Sequence, residues 1–160
     1  MQIIGYLKLP DINGEADQED HADEIEFFKL EWVDLTQRAT QSIGRGLSRG
    51  SVRSGPIRIC KWVDAASPYL MDSIFRAISI DEGKISLVKR SGDKNLDYMV
   101  ITMKEAMISN YNMATHPDED FVYEEVEFDF NNVIITYTEQ AGDHTAGSEH
   151  EVEYDFRAAS

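Results

Sequence analysis

The side chains with which this chain could do chemistry are four histidines, one cysteine and thirty carboxylates. His21-Ala22-Asp23-Glu24 and His116-Pro117-Asp118-Glu119 set imidazoles beside acids. Metal ligation needs a second His or Cys placed one turn along a helix, or an equivalent pair. Neither stretch supplies one. His21, His116, His144 and His150 all sit in polar, turn-rich sequence and read as solvated loop histidines. Cys60 lies in an alternating strand beside basic residues, which reads as a packed or half-buried thiol rather than a nucleophile. There is no P-loop or G-x-G-x-x-G. Gly44-Arg45-Gly46 with Gly50 lacks the strand-loop-helix setting that a phosphate loop requires. Carboxylate pairs are too common in so acidic a chain to single one out for acid–base work. The expectation is no catalytic residue, no metal and no cofactor.

Charge is more informative than chemistry. The formal net charge is −15. Between Thr36 and Val63, however, stand Arg38, Arg45, Arg49, Arg53, Arg58 and Lys61 with no acid among them, so subtracting these six leaves −21 on the remainder. Such a surface repels nucleic acid and anionic lipid, which argues against both as partners. The Arg-rich stretch also lacks the interleaved aromatics of a single-strand binder. Residues 36–56 hold Gly44, Gly46, Gly50 and Gly55 with Ser42, Ser48, Ser51 and Ser54, and read as a long extended loop. A loop of that length inside a compact domain is normally functional or disordered.

The elements that must carry these residues are mostly strands. Residues 2–9 read as one, closed by Pro10-Asp11-Ile12-Asn13-Gly14. Residues 25–35 read as a second, with Phe28, Leu30 and Trp32 on one face and Lys29 and Glu31 on the other. Ile57–Val63 follows. Ser67 then fits a helix N-cap and Pro68 the first helical position, with Leu70, Ile74 and Ala77, and Met71, Phe75 and Ile78, at helical spacing up to Gly83. Strands over 84–90 and 96–103 flank a turn at 91–95, with Met99, Met103 and Met107 as core filling. Val126, Phe128 and Phe130 alternate, then the apolar parity slips after Asn131-Asn132 to Val133, Ile135 and Tyr137, which predicts a β-bulge. Val152, Tyr154 and Phe156 close the chain. The pattern predicts a mainly β fold, a small antiparallel β-barrel with one short α-helix, as a single domain over 1–160.

The first residues lack the basic and apolar regions of a signal peptide, and no apolar run approaches the ~18 residues of a membrane span. A lone cysteine excludes an intrachain disulfide and fits a reducing cytoplasm. Export, if any, would need a route without a cleaved leader.

An ordered series of motifs resembles the Hcp (hemolysin-coregulated protein) family of type VI secretion. It runs His21-x-Asp23-Glu24-Ile25-Glu26 with Trp32, then Lys61-x-Val63-Asp64-x-x-Ser67-Pro68-x-Leu70, then Tyr98-x-x-Ile101-x-Met103-x-x-Ala106-x-Ile108-Ser109. Val126-x-Phe128-x-Phe130-x-x-Val133-x-Ile135-x-Tyr137 and Tyr154-Asp155-Phe156 complete it. The resemblance implies hexameric rings that stack into an inner tube, expelled by a sheath, capped by a spike and carrying effectors in the lumen. It implies a structural protein, made in the cytoplasm and secreted without a signal peptide. A soluble effector carrier, a tail-tube-like protein of another contractile injection system, and an enzyme on a small barrel are the alternatives. One departure stands out: many relatives carry a nearly neutral Gly/Ser loop where this chain is cationic. Arg38, Arg45, Arg49 and Arg53 are therefore expected at a ring-stacking interface, and Lys29 and Glu31 at the lumen.

Overall fold

A computed structural model of the chain describes residues 2–41, 47–91, 94–143 and 145–159. Ten strands and one helix follow in order: β1 (Gly5–Lys8), β2 (Ile25–Phe27), β3 (Lys29–Trp32), β4 (Thr36–Gln41), β5 (Leu47–Arg53), β6 (Ile57–Trp62), α1 (Ser67–Phe75), β7 (Ile80–Ser91), β8 (Lys94–Thr115), β9 (Val122–Gln140) and β10 (Ala146–Asp155). The main sheet runs β2-β1-β7-β8-β9-β6-β3, with β10 added to β9 and every pairing antiparallel. Mainly β with one helix is the expected class.

The sheet's two ends are one stretch of chain. β2 pairs with β1 and β3 pairs with β6, and only Phe28 separates them. The Phe28 N–H donates to the Cys60 carbonyl at 2.9 Å, so the chain passes from one end of the sheet to the other and curls it into a barrel. Side-chain parity records the passage. Ile25 and Phe27 point into the core, then Leu30 and Trp32 do, so inward positions change from odd to even at this bend. Phe28 does not share the core face with Leu30 and Trp32 as expected; it is half-buried with its ring 4.3 Å from that of Trp62. Gly5 lets Phe27 lie across β1: a Cβ there would stand 2.5 Å from the ring and 2.4 Å from the Ser86 carbonyl oxygen.

A second corner lies at Glu105 and Asn131. Inward residues are Ile101 and Met103, then Ala106 and Ile108 on β8; on β9 they are Val126 and Phe128, then Val133. Both strands slip together, because Met103 faces Val133 and Ala106 faces Phe130 in unchanged register. The expected one-strand bulge is therefore a paired corner, with Glu105 at φ 49°. The register shift in this ladder falls elsewhere, between Ile108 and Asn110.

The helix begins one residue earlier than expected. Ala66 occupies the cap position in αR geometry, and Ser67 is already helical, so Ser67 is not the N-cap and Pro68 is not the first helical residue. Leu70 is fully buried and Ile74 packs beside it, a burial worth roughly 2 kcal/mol for a leucine. The second stripe is only partly outside, with Met71 half-buried, Phe75 79% exposed and Ile78 exposed. The helix ends at Phe75 with Arg76 as its C-cap, not near Gly83. Ala77 takes φ 50°, and the Ile78 and Ala77 N–H groups donate to the Ser73 and Ile74 carbonyls, a Schellman ending. Gly83 lies within β7. Of the methionines, Met103 is buried and Met99 packs on the core, but Met107 is half exposed.

Residues 36–56 are not an irregular loop in their described part. β4 and β5 pair as a ribbon of their own, Thr36 opposite Arg53 and Arg38 opposite Ser51, unjoined to the main sheet. Its base is fixed: the Trp32 indole donates to Ser54 Oγ at 2.8 Å and the Gly55 N–H to the Asp34 carbonyl. Gly55 is required there, since a Cβ would meet the Val33 carbonyl oxygen at 2.5 Å.

Candidate functional site

Three polar arrangements stand out on this framework, one inside the barrel and two outside. The inner one joins the helix to β6 and β9. Inward parity on β6 runs Ile57, Ile59, Lys61, and on β9 Glu124, Val126, Phe128, which puts a lysine and a glutamate face to face in the ladder. Neither side chain retains solvent exposure. Taking two charges out of water is costly unless the remaining hydrogen-bonding capacity is satisfied. Here it is. Lys61 Nζ donates to Glu124, to Asp64 Oδ1 at 2.9 Å and to the Trp62 carbonyl at 2.8 Å. Ser67 Oγ donates to Glu124 Oε1 at 2.6 Å, and the Tyr111 hydroxyl donates to Glu124 Oε2. Burial, that hydrogen bond and the charges of Glu124 and Asp64 push the Tyr111 phenol well above its ordinary pKa.

Ser67 thus has a structural role different from the expected cap. Its Oγ accepts the Asp64 N–H at 2.9 Å, while Asp64 Oδ1 accepts the Ala66 N–H. The Asp64 side chain holds the turn that leads into the helix, whose own cap makes no side-chain hydrogen bond. The motif Lys61-x-Val63-Asp64-x-x-Ser67 is the primary structure of this buried anchor. Glu124 and Tyr111 were not singled out from the sequence, although two inward-facing charges of opposite sign on alternating strands were a usable signal.

Outside, Lys29 and Glu31 do lie opposite Leu30 and Trp32. Glu31, Arg58 and Glu127 occupy one row across β3, β6 and β9. Lys29 Nζ reaches Glu31 Oε1 at 2.8 Å, Arg58 reaches Glu31 Oε2 at 3.3 Å, and Arg58 Nε donates to Glu127 Oε1 at 2.9 Å. The hydrogen bond from Lys29, its charge and that of Arg58 hold the Glu31 carboxyl below its ordinary pKa. Lys29, Glu31, Arg58 and Glu127 thus alternate in sign along a strip on the outer face of the sheet.

The arm is different. Arg38 and Arg53 are exposed on the same face of the ribbon, and among the described residues neither forms an ion pair. Arg49 lies in β5; Arg45 lies outside the described residues. Beneath the arm, Trp32, Leu35, Val52, Ile135, Tyr154 and Phe156 line an apolar cleft of about 380 Å³. Leu35 is more than half exposed there, as is Val33 two residues before it in the chain.

His21 overturns the reading of a solvated loop histidine. It is 4% exposed, its ring lies parallel to that of Tyr6 at 4.5 Å, and its two nitrogens face Glu24 and Asp97. His150, by contrast, is exposed beside Glu139. No group of three or more His, Cys, Asp or Glu suited to a metal occurs among the described residues. Among them, too, no helix is long and apolar enough to cross a membrane.

Comparison with known proteins supplies the context for these surfaces. A family model described as "Type VI secretion system effector, Hcp" matches residues 6–137. Protein hcp1 of Pseudomonas aeruginosa is 27% identical over 144 residues, covering 89% of this chain and 88% of that protein. Among solved structures, one described as a type six secretion system protein superposes with a TM-score of 0.88 at 21% identity, covering 99% of each chain. Hcp1 of Salmonella typhimurium superposes with a TM-score of 0.80 at 23% identity, covering 100% of this chain and 99% of its own.

Proposed function

Because this chain belongs to the Hcp family of type VI secretion proteins, we propose that it is a structural subunit rather than an enzyme, closing into six-membered rings that stack as a tube. The observation that carries this reading is the arm. It leaves the barrel as a two-stranded ribbon with no core of its own, and such a ribbon is marginal in water without a partner. Among the described residues Arg38 and Arg53 form no ion pair, while the chain outside 36–63 carries −21. Copies of the same chain supply what each lacks. Arms carrying Arg38, Arg45, Arg49 and Arg53 meet the acidic surface of the next ring, and repetition around the ring sums weak contacts into a strong one.

Closure of the ring itself uses apolar surface. Tyr69 and Phe75 on α1, and Val33 and Leu35 below the arm, are exposed on separate parts of the subunit. Two different patches suit head-to-tail contacts, which close into a ring when the rotation allows. Lys29 and Glu31 then face the channel, where a strip of alternating charge would touch a protein cargo without gripping it. In this reading the partners are further copies of the chain, effectors in the lumen, and the spike and sheath of the secretion machine. The protein is made in the cytoplasm and leaves with the tube.

Native mass spectrometry of the purified chain tests the assembly. A six-subunit species at micromolar concentration supports the reading, and a clean monomer at that concentration overturns it.

A further inference from the structure

Residues 14–24, between β1 and β2, carry Glu15, Asp17, Glu19, Asp20, Asp23 and Glu24, and their only basic side chain is His21. Six acids on so short a stretch repel one another, yet the segment is folded against the barrel. Its backbone closes on itself: Gly14 N–H donates to Asp23 O, Ala16 N–H to Glu24 O, Asp23 N–H to Ala16 O and His21 N–H to Gln18 O. Only Ala16 and His21 of these residues are buried. An alanine offers little grip. The imidazole does more, since it stacks on Tyr6 of β1 and reaches Asp97 of β8 with Nε2 at 2.9 Å while Nδ1 faces Glu24 at 3.1 Å.

We propose that His21 is a pH-sensitive latch, which in its doubly protonated form holds the acidic segment 14–24 onto β1 and β8 and in its neutral form lets it go. The geometry requires a proton on each nitrogen. A carboxylate only accepts, and both ring nitrogens face carboxylates. The neutral ring keeps one N–H, so one of the two contacts becomes a lone pair set against an anion at about hydrogen-bond distance. The groups that act on the ring and on the Tyr6 hydroxyl are Glu24 and Asp17 from the segment, Asp97 from β8 and Glu26 from β2, all acidic. Losing the imidazolium therefore leaves these like charges facing one another.

The direction of the pH effect follows. Burial disfavours the charged ring, but hydrogen bonds to Asp97 and Glu24 and their charges outweigh it, and the His21 pKa is raised above 6.5. A raised folded-state pKa means the latch is fully closed below the unfolded value and is lost as pH rises through the folded one. It opens on the alkaline side.

The latch does not depend on the tube reading, and its test reads the segment directly. Full-length protein is studied by hydrogen exchange, corrected for intrinsic rates, and by NMR titration of the ring nitrogens, with His21→Gln assigning the His21 signal. Between about pH 6 and about pH 9, amides of 14–24 should lose protection by roughly tenfold or more, one pKa unit being one factor of ten. Amides of β8 and β9 should keep theirs. His21→Gln should show the unprotected segment already at the lower pH. Should that variant fold poorly, Asp97→Asn serves instead, and should lower both the His21 midpoint and the pH at which protection is lost. A His21 midpoint at or below 6.5, equal protection of 14–24 at both pH values, or a midpoint unmoved by Asp97→Asn each overturns the proposal.

Discussion

Lys61 and Glu124 form an ion pair in which neither side chain touches solvent, directly opposite each other in the β6–β9 ladder and beneath the start of the helix. A pair of this kind adds little net stability over an apolar pair of the same shape, but breaking it leaves a buried charge uncompensated. Lys61→Met should therefore lower the stability of the chain by about 3–5 kcal/mol. The double variant Lys61→Met with Glu124→Gln should recover most of that loss. Urea melts at one protein concentration measure both. A double variant as unstable as the single one would mean that packing around the lysine stem, not charge, carries the effect.

Ser67 belongs to the same cluster, which raises what its loss should cost. A helix cap is worth about 1 kcal/mol. Ser67 Oγ instead donates to a fully buried carboxylate and accepts the Asp64 N–H, so Ser67→Ala strips one hydrogen bond from that carboxylate and leaves the Asp64 N–H without its acceptor. The expected loss is about 2–4 kcal/mol. A loss near that of an ordinary cap would show that water replaces the hydroxyl.

How much of this could be read beforehand depends on the range over which each feature is encoded. Strand alternation at Val126 and Phe128, and the Ser67–Pro68 helix start to within one residue, are local and were legible. The corner at Glu105 and Asn131 was half legible. The parity slip on β9 showed in the apolar pattern, but its partner on β8 is a non-glycine residue at positive φ, which no residue type announces. The arm was hidden because Thr, Gln, Arg, Gly and Ser carry no apolar alternation, so a solvated ribbon reads as a loop. His21 was misjudged for another reason: its neighbours in sequence are polar, and what buries it is Tyr6 with Asp97, the latter 76 residues away. The candidate assembly residues are surface features, and surface roles leave little periodic trace.

Ala77 offers a gain of stability. It sits in the left-handed region at the helix end, where a side chain costs roughly 1–2 kcal/mol and glycine costs nothing. A new glycine also adds unfolded-state freedom, roughly 0.5–1 kcal/mol. Ala77 is exposed, so no packing is lost. Ala77→Gly should raise stability by about 0.5 kcal/mol, a small increase in urea midpoint at unchanged slope. A decrease would mean that the methyl group makes a contact in the assembled protein.

The arm's charges make the last prediction, which separates ring closure from ring stacking. Arg38 and Arg53 share a face of the ribbon and have no carboxylate partner among the described residues, so removing them costs the isolated subunit no ion pair. Replacing Arg38, Arg45, Arg49 and Arg53 with Glu should leave the subunit folded and the six-membered mass intact. It should abolish long tubes, because each arm would then meet an acidic surface with like charge, repeated around the ring. Wild-type tubes should shorten as salt rises, since screening acts within ~8–10 Å near physiological ionic strength, while rings closed by apolar contacts persist. Electron microscopy for tube length, native mass spectrometry for ring mass and an immunoblot of the culture supernatant for export read the three outcomes. Intact rings with few tubes and little export fit the arm as the stacking device. Normal tubes and export from the four-fold variant would remove the arm's charges from assembly and leave the apolar cleft at its base as the part that holds neighbouring copies.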